Sequence, residues 1–158
     1  MALRWKPGFI FLLSIIFCLL FCGGCKSKKA MFEEKAAVDG AVEWLNIVDS
    51  NDYLKSWRDS SVIVQKIMTG EEFQEYLLAR REPLGGIRVR RFYSIKRTFR
   101  IRNAPEGRYY VILFESEFER QKGVVEKVTV VKSQDSGKWL VCGYIVLTEK
   151  LDIMGSKK

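Results

Sequence analysis

Two places in the chain carry residues whose type and setting could do chemistry. The first is Cys25, preceded by Gly23 and Gly24. A peptidase that cleaves in front of a cysteine must draw backbone into a narrow site, so tiny residues are needed there. The thiol of the new N-terminus can then be alkylated. The second is Glu126, inside the strand-like stretch 124–132. A hairpin turning at Lys122-Gly123 so that Glu117 faces Lys127 puts Glu126 across from Phe118, on the side that must face a core. A carboxylate there needs a cationic partner. Arg91 and Arg97 interrupt the apolar side of the preceding strand, and strand parity makes them the expected partners. Such a group is either a charged pocket for a polar ligand, with Glu126 able to serve as a general base, or a structural ion pair at the sheet rim. The structural pair is the simpler expectation.

The segment before Cys25 reads as an export signal. Arg4 and Lys6 form a basic start, and an apolar run from Phe9 to Cys22 follows, broken only by Ser14. A membrane span needs about 20 such residues, whereas this run has the length of a signal-peptide apolar region. Cys22 stands where lipoprotein signals usually carry Leu, and an uncleaved N-terminal anchor or plain secretion are the alternatives. The expectation is a bacterial lipoprotein with signal 1–24, lipidated tether 25–33, one domain over 34–148 and a polar tail 149–158. More than one acyl chain at Cys25 would hold it stably in a bilayer. Lys26 stands where a retention aspartate is found in many Gram-negative lipoproteins, which favours the outer over the inner membrane.

Composition narrows the chemistry further. The chain has no His, and its four cysteines are Cys18, Cys22, Cys25 and Cys142. The first two would leave with the signal and Cys25 would be modified, so Cys142 would stand alone with no disulfide. It lies in a strand-like segment, where a small buried hydrophobe is expected. Without an imidazole, a nucleophilic thiol lacks its usual partner. There is no glycine-rich phosphate loop, no dinucleotide fingerprint and no metal-ligand spacing, so no cofactor is expected. The formal charge of +8 falls to +6 once Arg4 and Lys6 are removed. Lys26, Lys28 and Lys29 would then lie beside the lipid, where basic residues favour an anionic surface. Basic charge alone is no signature of nucleic-acid binding.

The positioning elements follow from periodicity. Val38, Ala41, Leu45 and Val48, with Trp44 alongside, fall at helical spacing, opposite Lys35, Asp39, Glu43 and Asn46. Asp49 to Asp52 end that helix and cap a shorter one bearing Tyr53, Leu54 and Trp57. Asp49 and Asp52 could also be read as a carboxylate pair, though capping explains both. Thr69-Gly70-Glu71-Glu72 predicts a capping box for a third helix with Phe73, Tyr76 and Leu77 on its buried stripe, stopped by Pro83 and Gly85-Gly86. The pairs Arg80-Arg81 and Arg90-Arg91 read as solvated surface or as anion readers. From Ile87 the period becomes two. Turns at Ala104-Pro105-Glu106-Gly107, Lys122-Gly123 and Asp135-Ser136-Gly137 then predict a four-stranded antiparallel meander. On its outer face Lys96 is expected near Glu115, facing the acidic row Glu115, Glu117 and Glu119. Three helices followed by four strands make an α+β pattern.

These pieces resemble a known family. Trp44-Leu45 through Asp52-Tyr53 and Ser56-Trp57, then Pro83-Leu84-Gly85, Ala104-Pro105-Glu106-Gly107 with Tyr109, Glu126 with Val128-Thr129, and Trp139 with Gly143-Tyr144 are similar in order and spacing to domain of unknown function 4019, a family of small bacterial envelope proteins. The likeness covers about residues 36 to 147. It implies a fold similar to the nuclear transport factor 2-like cone, in which helices pack on a curved sheet, and it implies no activity. The sequence therefore points to a membrane-anchored, non-enzymatic envelope domain that binds a partner protein or a small ligand. The alternative is a small carboxylate-based enzyme whose pocket contains Glu126.

Overall fold

The computed structural model describes residues 27–148, so Cys25 and the whole export signal lie outside the described residues. Helix α1 (Lys28–Asp49) starts inside the segment expected as a tether. The unit of the chain that contains the sheet begins at Glu33. Within it, Ala37, Ala41, Trp44, Leu45 and Val48 form the buried stripe of α1, as the helical spacing requires. The helix ends where Asn51 turns left-handed at φ 63°, a conformation that Asn tolerates better than most residues. Asp52 then caps α2 (Tyr53–Arg58) by accepting from the Lys55 N–H at 3.0 Å.

An additional helix, α3 (Val62–Ile67), has no counterpart in the sequence reading. Its Val62-Ile63-Val64 run is β-branched and a weak helix former, so tertiary contacts hold it. The Ser61 N–H donates to the Val141 carbonyl at 2.8 Å. The Gln65 amide donates to the carbonyls of Trp57, Arg58 and Ser60 at 3.0–3.2 Å. The capping box of α4 (Gly70–Arg81) is present in both directions, with Thr69 and Glu72 exchanging bonds of 3.2 and 2.7 Å. A short 3-10 turn at Glu82–Leu84 closes it before Gly85, whose φ of 75° favours glycine and where a Cβ would stand only 3.1 Å from the Glu119 side chain.

Four antiparallel strands follow in meander order: β1 (Ile87–Thr98), β2 (Tyr109–Phe118), β3 (Val124–Lys132) and β4 (Trp139–Leu147). The α+β class and the four-stranded antiparallel sheet are as expected, with four α-helices in place of three. The helices cover one face of the sheet, where Trp44, Leu77, Ile112, Phe114, Val128 and Tyr144 meet in one core. Gly40 of α1 lies so close to β4 that a Cβ there would stand 2.8 Å from the Trp139 carbonyl oxygen. Gly40→Ala should therefore destabilise the domain by about 1–2 kcal/mol, an overpacking cost only partly offset by better helix propensity. A urea titration measures it.

The register differs from expectation in two ways. Glu126 pairs with Phe114, not Phe118, a shift of four residues that leaves the same face inward. In β1, irregularities between Ile87 and Val89 and between Phe92 and Ser94 change the parity twice. Ile87, Arg90, Phe92, Ile95 and Arg97 consequently oppose the inward row Phe118, Ser116, Phe114, Ile112 and Tyr110. Lys96 pairs with Val111, and it is Arg91 that faces Glu115.

Candidate functional site

Parity brings Glu126 inward from β3, and with it Ser116 from β2, Arg90 from β1 and Tyr144 from β4. The helices supply the rest. Arg81 continues the buried stripe Phe73–Leu77 of α4 by one more turn, and Asp49 stands one turn beyond Leu45 on α1. Glu126 is fully buried and accepts five hydrogen bonds. Its Oε1 accepts from Arg81 Nη1 at 2.8 Å, Tyr144 Oη at 2.6 Å and Arg90 Nη2 at 3.3 Å. Its Oε2 accepts from Arg90 Nε at 2.6 Å and Ser116 Oγ at 2.5 Å.

Asp49 completes the set. Arg90 reaches it with Nη1 at 2.7 Å and Nη2 at 3.0 Å, and Arg81 Nη2 donates to its Oδ1. Arg90 is thus a planar fork held between two carboxylates, the geometry in which guanidinium pairing is strongest. Two cations against two anions leave the cluster neutral, and their mutual attraction and charge-assisted hydrogen bonds offset the cost of desolvating four charges next to a core. The Arg81 guanidinium also lies 4.5 Å over the Phe118 ring.

The electrostatics follow from this arrangement. Burial disfavours the Arg90 charge, but the hydrogen bonds and charges of Asp49 and Glu126 more than compensate, so its pKa is raised. Arg81 is raised too, since Tyr144, Glu126 and Asp49 together outweigh its burial. Burial, with the Glu126 charge next, pushes the Tyr144 phenol well above its ordinary value. Tyr144 therefore stays a neutral donor. An unfolded tyrosine loses its proton near pH ~10, whereas the folded one retains it. Above that pH the native state holds more protons than the unfolded state, so stability must fall as pH rises. Denaturant midpoints measured through the alkaline range should show this slope, and Tyr144→Phe should flatten it.

The expected partners of Glu126 are corrected by these contacts. Arg91 is exposed and donates to Glu117 at 3.2 Å. Arg97 is exposed, with its guanidinium 4.7 Å over the Phe99 ring. The change of parity in β1 turns Arg90 inward beside Glu126 and leaves Arg91 outside. Arg97 returns to the inward row, too far along the strand to reach Glu126. Asp49 and Asp52, considered together from sequence, do different work, one in the cluster and one as a cap.

An open cleft of about 470 Å³ adjoins the Asp49–Arg81 side of the cluster, lined by Asn51, Tyr53, Gln74, Leu78, Glu82 and Glu119 among others. Of these, Tyr53 Oη donates to Asn51 Oδ1 at 2.9 Å. No group of three or more His, Cys, Asp or Glu able to hold a metal occurs among the described residues. Residues 40–144 match the family model Protein of unknown function (DUF4019). The chain belongs to that family. No curated protein and no solved structure matches the chain.

In this DUF4019 domain the chemistry open to the cluster is narrow. Both oxygens of Glu126 are taken, so abstracting a proton from a substrate would require several charge-assisted bonds to break first. Cys142 is half-buried, and burial pushes its thiol up to about 12, far from the thiolate that a nucleophile needs. Cys25 remains a matter of sequence. No helix among the described residues is long and apolar enough to cross a membrane.

Proposed function

We propose that this DUF4019 domain is the exported part of a bacterial lipoprotein, held at the envelope through Cys25. Its role is to bind a small polar ligand or a partner protein without catalysing a reaction. The carrying observation is the saturation of Glu126 by Arg81, Arg90, Ser116 and Tyr144. A general base must offer a lone pair to substrate, and this carboxylate offers none. The cleft beside the cluster is the place for the ligand, because its wall combines the Asn51 and Gln74 amides and the Tyr53 phenol with the charged groups of Glu82, Glu119 and Arg120. The helices-on-sheet arrangement fits a nuclear transport factor 2-like cone, which agrees with a scaffold for binding. The lean toward the outer membrane rests on Lys26 alone.

Two experiments test the reading. Labelling with a palmitate analogue should mark the wild-type protein and send it to the detergent phase, while Cys25→Ser should be unlabelled or remain as precursor. A Cys25→Ser protein that is processed and partitions like wild type rules out the anchor. Leu78→Trp should fill the cleft without disturbing the cluster. Material purified from native membranes should then lose, in native mass spectrometry, a bound species that wild type carries. Equal occupancy in both proteins would move the ligand site elsewhere.

A further inference from the structure

The net charge of the domain is concentrated at one end. Over residues 27–148 the chain has 21 Lys and Arg against 17 Asp and Glu. Five of the cations, Lys96, Arg97, Arg100, Arg102 and Arg108, lie on the end of the β1–β2 hairpin. Lys132 and Lys138 flank the neighbouring β3–β4 turn, which is tied to the hairpin by the Lys132 N–H bond to the Arg108 carbonyl at 3.0 Å. Against these seven stand only Glu33, Glu106 and Asp135, so the excess of four positive charges belongs to this end and the remainder of 27–148 is balanced.

Two further observations give this end a direction. Phe99 projects from the hairpin with 55% of its surface exposed, beside Arg97 and above a shallow cleft that also includes Glu106, Arg108 and Lys132. A large ring left in water among cations is the combination that seats in the headgroup region of an anionic leaflet. The compact unit also begins at this end, because Arg108 Nη1 donates to Glu33 Oε1 at 2.9 Å. The first residue of this unit therefore lies next to the basic hairpin.

We infer that the β1–β2 hairpin end of the domain docks on an anionic phospholipid surface, with Phe99 inserted among the headgroups and Arg97, Arg100 and Arg102 on the phosphates. This extends the proposed anchoring, on which it rests only for bringing the membrane within reach. Docking at this end leaves the cleft beside Asp49 and Arg81 away from the lipid, since Gly85, Gly86 and Glu119 lie at the opposite ends of β1 and β2.

The full chain, purified with its native N-terminus, is mixed with vesicles of phosphatidylcholine alone or with added phosphatidylglycerol, and flotation and hydrogen exchange are read together. Amides of residues 97–108 should exchange more slowly on the phosphatidylglycerol vesicles than on the neutral ones, and high salt should abolish the difference. Each cation near such a surface is worth about a fivefold change in attraction. The triple variant Arg97→Gln, Arg100→Gln, Arg102→Gln should therefore weaken docking by about a hundredfold. Phe99→Ser should reduce the protection without changing its salt dependence. Flotation with both vesicle types but identical exchange of 97–108 on each overturns the docking while leaving the anchor intact. Flotation only with anionic vesicles, reversed by salt, keeps the docking and removes the anchor. Equal protection on neutral vesicles, or protection that survives the triple variant, overturns the assignment of this surface to anionic lipid.

Discussion

Glu126→Gln should lower the unfolding free energy by about 3–5 kcal/mol, the usual result of leaving a buried cation without its counter-ion. Arg81 and Arg90 would keep their charges and share Asp49 alone, and the amide could accept from only some of the donors now aimed at the carboxylate. Arg90→Gln should be costly for the mirror reason. The double variant should cost clearly less than the sum of the two, because it restores charge balance between Arg81 and Asp49. Urea titrations of the three proteins give the coupling directly. A second reading of the same variant separates structure from catalysis. In a deletion strain, Glu126→Gln should complement in proportion to the folded protein remaining, and fully at a temperature where it stays folded. Loss of complementation by a well-folded variant would restore the carboxylate as a catalytic group. A variant as stable as wild type would mean that the four-charge cluster is not closed in solution.

Trp139→Ala should cost about 3–5 kcal/mol, a large share of the 5–15 kcal/mol that holds a domain of this size. Trp139 is 6% exposed; its ring lies 5.0 Å from the Tyr110 ring and is covered by the Lys132 ammonium at 5.2 Å. Its position is not adjustable, since the Trp139 backbone presses on Gly40 of α1. The Nε1 group meets no acceptor among the described residues, so the contribution is packing and not hydrogen bonding. Trp139→Phe should accordingly recover much of the loss, because it keeps an aromatic ring and removes an unpaired donor. The denaturant midpoint should fall strongly for Ala and mildly for Phe, with little change in slope. An unchanged midpoint for Ala would show that the ring is not part of the core.

Much of the framework was legible because it depends on local rules. The α1 stripe, the Thr69–Glu72 capping box, the stop at Pro83-Gly85 and the three hairpin turns each follow from a few neighbouring residues. α3 was not legible, since Val62, Ile63 and Val64 favour extended structure and are held helical by Gln65 and by the distant Val141 carbonyl. The site was half legible. Inward placement of Glu126 followed from parity and survived a register error of four residues, because an even shift preserves the face. Its partners did not follow, because the irregularities in β1 are invisible in an alternating pattern and exchange Arg90 for Arg91. Arg81 and Asp49 carried a usable signal. Each occupies the next turn of an apolar helical stripe, after Leu77 and Leu45, where a charge at a core position demands a counter-charge.

The ion cluster also bears on how the sheet finds its alignment. Residues 109–114 (Tyr-Tyr-Val-Ile-Leu-Phe) and 128–131 (Val-Thr-Val-Val) are almost wholly apolar or β-branched, so over these stretches hydrophobicity hardly distinguishes the two sides of the sheet. A slide of β3 by one residue would still set Val125 and Val131 against the helices, but it would turn Lys127 and Thr129 inward. It would also carry Glu126 to the outer face and leave Arg81 and Arg90 inside beside Lys127, with half their negative charge. Misaligned pairings are thus penalised by electrostatics where greasy contacts cannot tell them apart. Four elements, α4, β1, β2 and β4, each place a donor on this one carboxylate of β3, which makes Glu126 the point that tells the meander which way each strand must face.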